Sequence, residues 1–224
     1  HMIRLDMSEF QTSESIDRLI GSRAMGIQGQ LVTAAREKPF SILLLDEIEK
    51  AYPRALDLFL QILDEGYVTD GFGEKVNFRN MVIIATSNAG ASLIKSLVRE
   101  QAPIEMIRRQ VLDHIVENNL FRLEFLGRFD GIIFFEPLKQ EELEAVAELK
   151  LKKFANRLKD EKNITITFAA DVVAKIVEKG FEPEFGTRSL NRFIEDTIED
   201  AVVKKLIAGE VAEGEMLHVS GDEL

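Results

Sequence analysis

The 224-residue chain is 46% hydrophobic and 30% charged, which suits one large or two small folded domains and excludes an intrinsically disordered polymer. A formal net charge of −11 argues against nucleic acid and against anionic membrane surfaces as partners, because both require a basic footprint. The absence of cysteine removes disulfides, thiolate metal sites and thiol nucleophiles and suits a reducing compartment such as the cytoplasm, and no apolar run is long enough to span a bilayer.

In chain order, Met2 to Leu5 reads as a short strand before Asp6. Helical patterns follow at Ser15 to Ile20 and Gln28 to Arg36. Phe40 to Leu45 is an apolar run ending on Asp46-Glu47, Pro53 to Asp64 is helical, and Met81 to Ala85 is a second apolar run ending on Thr86-Ser87-Asn88. A long helical pattern covers Pro103 to Phe121, and Gly131 to Phe135 reads as a further strand before Glu136-Pro137. Apolar runs that end in polar residues fit buried parallel strands delivering side chains to a site at their carboxyl ends, and their alternation with helices predicts a parallel α/β sheet.

The character changes at Pro137. A charged amphipathic helix from Gln140 to about Lys159 is followed by a strand at Ile164 to Phe168, helices at Ala170 to Lys179 and Arg188 to Ala208, and a strand at Met216 to Ser220. The predicted organisation is an α/β large domain over 1–137 and a smaller, mainly helical α+β domain over 138–224.

Ser41 to Glu47 is the segment richest in chemistry. A buried strand tipped by two adjacent acids fits a Walker B element: the first acid holds a hydrated magnesium ion and the second polarises the attacking water. Taken alone, a core strand followed by a solvated acidic turn explains the pair at least as well. Asn88, placed after the next apolar strand, tips the balance, since an amide there fits a sensor-1 residue that positions the lytic water; in isolation it would be a turn former.

Leu44-Leu45-Asp46-Glu47-Ile48-Glu49-Lys50-Ala51, Leu63-Asp64-Glu65-Gly66, Thr69-Asp70-Gly71 and Phe78-Arg79-Asn80, with Met2 to Phe10 ahead of them, resemble the Clp-type AAA+ unfoldases and disaggregases, particularly the second ATPase module of ClpB, ClpA and ClpC. The resemblance covers nearly the whole chain. It implies an AAA+ large domain with a C-terminal lid, ATP and Mg²⁺ as cofactors of the parent protein, a ring of identical subunits, expected to be a hexamer, and unfolded or aggregated polypeptide as substrate. It further implies that Asp46 binds magnesium, Glu47 activates water, and Asn88 and Arg188 sense the nucleotide, Arg188 through the sensor-2-like run Gly186-Thr187-Arg188-Ser189-Leu190. Arg128, in Phe125-Leu126-Gly127-Arg128-Phe129-Asp130, takes the place of an arginine finger acting on the neighbouring subunit. The bland alternatives are an ion pair with Asp130 for Arg128 and a helix-surface arginine for Arg188.

The sequence departs from the family pattern in three places. No G-x-x-x-x-G-K-[ST] phosphate loop occurs, so the expectation is a chain truncated just after that loop, which neither binds ATP tightly nor hydrolyses it by itself. The alternative is a non-catalytic Clp-like assembly or adaptor module. Loss of the strand ahead of the loop is expected to shift Gly131 to Phe135 against the strand ending at Asn88, or to leave a gap for a partner. The pore-loop segment Gly21 to Gly29 is short and lacks an aromatic, so Met25 or Ile27 grips substrate or the segment is a plain connector. No Ile/Val-Gly-Phe/Leu docking tripeptide occurs in the corresponding region, so a protease partner is not supported.

Overall fold

The computed structural model describes residues 1–183, 185–208 and 214–221 and divides into two units, His1–Glu136 and Pro137–Leu224. In the first, β1 (Met2–Asp6), β2 (Ile42–Asp46) and β5 (Val82–Ala85) form a parallel sheet in the order β1-β2-β5. The register sets Asp6 beside Asp46 and Leu45 beside Ala85, so all three strands end at one edge. Leu43 and Leu45 are buried, as alternation along a pleated strand requires.

Helices α1 (Ser15–Ile20), α2 (Gln30–Glu37) and α3 (Pro53–Glu65) connect these strands. Proline at the first turn starts α3, Gly66 in the left-handed conformation ends it, and Ala55, Leu58, Phe59 and Ile62 form its buried stripe at helical spacing. A small antiparallel hairpin, β3 (Tyr67–Thr69) with β4 (Lys75–Asn77), precedes β5, and α4 (Ala91–Arg99), α5 (Ile104–Glu117) and the short α6 (Leu123–Leu126) follow it. The helical pattern over Pro103 to Phe121 therefore ends early, at Glu117, where Asn118 caps the helix and Asn119 turns left-handed.

Gly131 to Phe135 does not form the expected strand and does not shift against β5. Those residues pair with no strand among the described residues, Ile133 and Phe135 are 79% and 85% exposed, and β5 stands at the sheet edge with Val82 61% exposed. A strand is defined by the neighbour it bonds to, and an apolar run without an adjacent ladder cannot bury its backbone groups. Among the described residues the outer edge of β5 has no strand partner, and such an edge templates further strand pairing.

The hairpin turn is held by Asp70, whose side chain is only 1% exposed. It accepts hydrogen bonds from the amides of Phe72 (2.9 Å) and Glu74 (2.8 Å) and from Arg36 (2.6 Å). Burial pushes its pKa up, but the Arg36 guanidinium and the two amides outweigh this and hold it below the ordinary aspartate range. A depressed folded pKa means that the stabilisation is present above the unfolded value and is lost as pH falls through the folded one. Asp70→Ala is expected to destabilise the chain by about 2 kcal/mol near neutrality, less than a fully buried pair because Arg36 is half exposed. Urea unfolding across pH should show the difference from wild type shrinking as the solution is made strongly acidic.

Gly71, next in the chain, has no room for a side chain. A Cβ there would sit 1.9 Å from the Gly21 carbonyl oxygen. The Gly71 amide donates to Ile20 O (3.0 Å) and its carbonyl accepts from Arg23 N (3.3 Å), which ties the base of the 21–29 segment to the hairpin.

The second unit is built on α7 (Gln140–Lys162), whose Leu143, Ala147, Leu151, Phe154 and Leu158 form the buried stripe. Glu142 accepts the Lys139 amide (2.8 Å) at its start, and Asn163 in the left-handed conformation ends it three residues past the expected Lys159. Next come β6 (Thr165–Phe168), α8 (Val172–Gly180), α9 (Thr187–Phe193), a π-helical turn at Ile194–Glu199, α10 (Asp200–Ile207) and β7 (Met216–Val219). Strands β6 and β7 pair in parallel, and a second apolar core runs through α7, α8 and α9.

Candidate functional site

The carboxyl ends of β2 and β5 bring Asp46, Glu47 and the Asn88 turn together. Asp46 closes β2 with both carboxylate oxygens engaged: Arg4 Nη2 donates to Oδ2 (2.5 Å) and the Thr86 hydroxyl donates to Oδ1. The Thr86 hydrogen bond first, and Arg4 second, hold the Asp46 pKa below the usual carboxylate range, so it is an anion at neutral pH.

Glu47 follows in the left-handed region, at φ 53° and ψ 50°. For a residue with a Cβ this conformation costs on the order of 1 kcal/mol and persists because the surroundings enforce it. Here the Glu47 amide donates to Thr86 Oγ1 (3.2 Å) and the next amide, of the buried Ile48, donates to Thr86 O (3.0 Å). Thr86 is thus the hub that clamps the acidic turn onto the end of β5, and its own amide donates to Leu45 O (2.9 Å). Asn88 is joined to the same turn from the other side, its backbone N–H donating to Glu49 Oε1 (3.2 Å), while Glu49 Oε2 is buried without a hydrogen-bond partner among the described residues.

Three residues of this cluster escaped the sequence reading. Thr86 stands in the sequence only as one polar residue in a Thr-Ser-Asn run, and Arg4 and Glu49 lie within the family-like segments Met2 to Phe10 and Leu44 to Ala51 without a role of their own. Their roles here depend on strand register, which places Arg4 and Thr86 on either side of Asp46.

Arg128 lies elsewhere in the first unit. It follows α6 and pairs with Asp64 (2.7 Å), not with Asp130. Asp64 is in the last turn of α3, and at about 1.5 Å of rise per residue the length of that helix separates it from the Asp46 end. Phe125 stacks with Phe121 and meets Phe129 edge-on, which anchors the backbone around Arg128 and leaves its guanidinium partly exposed. Arg188 belongs to the second unit, in the first turn of α9, where its amide donates to Phe185 O (3.2 Å) and Ser189 Oγ donates to Gly186 O (2.9 Å).

The 21–29 segment closes as a tight turn, with Ser22 and Ile27 exchanging backbone hydrogen bonds of 2.8 and 3.0 Å and Met25 65% exposed at the tip.

The oxygen donors suit a hard cation but form no cage. No three carboxylate or imidazole side chains converge as a metal site among the described residues, and Asp46 stands as a carboxylate beside a hydroxyl. That set fits Mg²⁺, which is ordinarily held by one or two carboxylates, waters and the phosphates of its nucleotide.

A parallel sheet with a Thr86-clamped acid pair at its carboxyl edge, joined to a helical C-terminal unit, defines an AAA-type domain with a Clp-type lid. The chain belongs to the AAA domain (Cdc48 subfamily) family, whose model matches residues 1–132, and residues 138–219 match the C-terminal, D2-small domain of ClpB protein. Among curated proteins it is similar to chaperone protein ClpB of Meiothermus ruber, at 40% identity over 100% of this chain and 26% of that protein. It is also similar to chloroplastic chaperone protein ClpC4 of Oryza sativa subsp. japonica, at 40% over 99% of this chain and 24% of that protein. The ATP-dependent Clp protease ATP-binding subunit ClpC of Staphylococcus saprophyticus is 39% identical over 99% of this chain and 28% of its own length. The chain therefore spans about a quarter of the length of the curated relatives it matches. No helix among the described residues is long and apolar enough to cross a membrane.

Proposed function

We propose that this chain is the hydrolytic and lid portion of an ATP-driven Clp-type AAA+ unfoldase or disaggregase module, with a large domain over 1–137 and a small domain over 138–224. The observation that carries the reading is the Thr86 clamp, which presents an ionised Asp46 and a conformationally forced Glu47 beside the Asn88 turn. Magnesium bound with ATP would supply charge neutralisation on the phosphates. Asp46 holds the hydrated cation, Glu47 orients the attacking water and accepts its proton, and Asn88 fixes that water from the β5 side. Arg188 senses the nucleotide from the lid. Arg128, on a different part of the surface, serves the site of the next subunit in a ring, proposed to be a hexamer. Unfolded or aggregated polypeptide in the cytoplasm is the proposed substrate, and exposed Met25 the apolar contact to it.

What the chain lacks in sequence sets the test. Without a phosphate-loop lysine and its cradle of backbone N–H groups, the β- and γ-phosphates have no holder. Calorimetric titration of the 224-residue chain with magnesium-ATP and a phosphate-release assay should show neither micromolar binding nor steady turnover. Tight binding would overturn the reading that these 224 residues cannot hold the phosphates by themselves.

A further inference from the structure

We propose that the outer face of the β1-β2-β5 sheet docks onto the same face of a second copy of this chain. Side chains alternate along the three strands, and the two faces have different surroundings. Ile3, Leu5, Leu43 and Leu45 belong to the buried core of the first unit, and Ile83 and Ala85 pack against it. The register sets Met2, Ile42 and Val82 in one row of the opposite face and Arg4, Leu44 and Ile84 in the next. On that face Met2 is 61% exposed, Ile42 37%, Val82 61% and Ile84 44%, and Phe40, two residues ahead of Ile42, is 73% exposed. Parallel sheets are ordinarily covered on both faces, and among the described residues this one is covered on one.

Area and charge both point to a second copy as the occupant. At about 150–200 Å² for a fully exposed large apolar residue, the five exposures amount to about 400–550 Å² of apolar surface on each copy. Two copies together bury about 800–1,100 Å² before any polar rim is added, which reaches the roughly 1,000 Å² that a specific interface requires. The two rows carry one charged side chain, Arg4, and Asp46 neutralises it at 2.5 Å. The face can therefore meet itself across a two-fold axis without setting an unpaired charge against its like. Two such sheets pack at a separation of about 10 Å with their strands crossing at about 30°, so that the Met2, Ile42 and Val82 row of each copy interdigitates with the side chains of the other. No part of this inference depends on ATP hydrolysis.

The test is sedimentation velocity on the 224-residue chain over about 1–200 µM, a range that spans the affinity of an interface near the lower size limit. A reversible, concentration-dependent shift from monomer to dimer is expected. Met2→Lys and Val82→Lys, on the two outer strands of the same row, should each raise the dimer dissociation constant about tenfold or more, because each places a charge in the apolar contact. Both changes also reduce the net charge of −11, so an unspecific association would strengthen instead. Ile207→Lys makes the same charge change at an 82% exposed residue of the second unit and should leave the dimer unaltered. Melting temperatures establish that the variants fold, and Val82→Thr, which keeps the side-chain shape, gives a smaller loss in the same direction should the lysine variant unfold. A chain that stays monomeric throughout the range overturns the proposal, even if the face captures an apolar dye. Weakening by Val82→Lys alone, the mark of edge-to-edge pairing through β5, also overturns it, as does equal weakening by Ile207→Lys.

Discussion

In a protein that carries this chain together with a phosphate loop, Glu47→Gln should leave nucleotide affinity within about twofold of wild type and reduce steady-state phosphate release by about 10²–10⁴-fold, the usual contribution of a positioned general base. The substitution removes a proton acceptor while keeping nearly the same volume. The backbone at Glu47 is set by its amide bond to Thr86 Oγ1 and by the Ile48 amide bond to Thr86 O, neither of which involves the Glu47 carboxylate. The turn should therefore persist, and a nucleotide-loaded, inactive protein should accumulate. Equilibrium binding of a fluorescent ATP analogue and a phosphate-release assay separate the two effects. Equal loss of binding and turnover would show that the carboxylate holds the site together instead of acting on water.

Arg128→Ala should reduce turnover by a larger factor, about 10³–10⁵-fold where an arginine finger stabilises the transferred phosphoryl group, yet leave the subunit's own acid pair intact. Arg128 is paired with Asp64 and separated from Asp46 by the length of α3, so deleting it removes a surface ion pair, which is worth little for folding. The distinguishing experiment mixes Glu47→Gln with Arg128→Ala subunits under conditions that allow exchange. If the finger acts across the interface, about a quarter of the interfaces in randomly mixed rings regain both groups, and phosphate release returns in proportion. No recovery on mixing would place the action of Arg128 within its own subunit or outside catalysis.

The core of the large domain was legible where local pattern and burial coincide. The runs ending at Asp46 and at Thr86-Ser87-Asn88 are short, apolar and bounded by polar residues, and both became central or edge strands of one parallel sheet. Gly131 to Phe135 has the same local pattern and formed no strand, because pairing is a property of two segments and periodicity reports only one. The three-residue strands β3 and β4 were too short to show alternation, and their position is set by Asp70 and Gly71, whose value lies in a buried carboxylate and a close backbone approach. At the site, the acids and the amide could be read because their spacing matched strand ends. The clamp that orients them could not, since Arg4, Thr86 and Glu49 reach Asp46 and the Asn88 turn across separations of about forty residues. The ion pair of Arg128 with Asp64 instead of Asp130 is of the same non-local kind.

The most direct test joins a phosphate-loop strand and loop of Clp type ahead of Met2 and compares magnesium-ATP binding and phosphate release with those of the 224-residue chain. The extended chain should bind ATP and turn it over in a manner abolished by Glu47→Gln, whereas the 224-residue chain should do neither. ATP turnover by the unextended chain, or an extended chain that binds ATP yet hydrolyses it equally well with Gln at position 47, would contradict it.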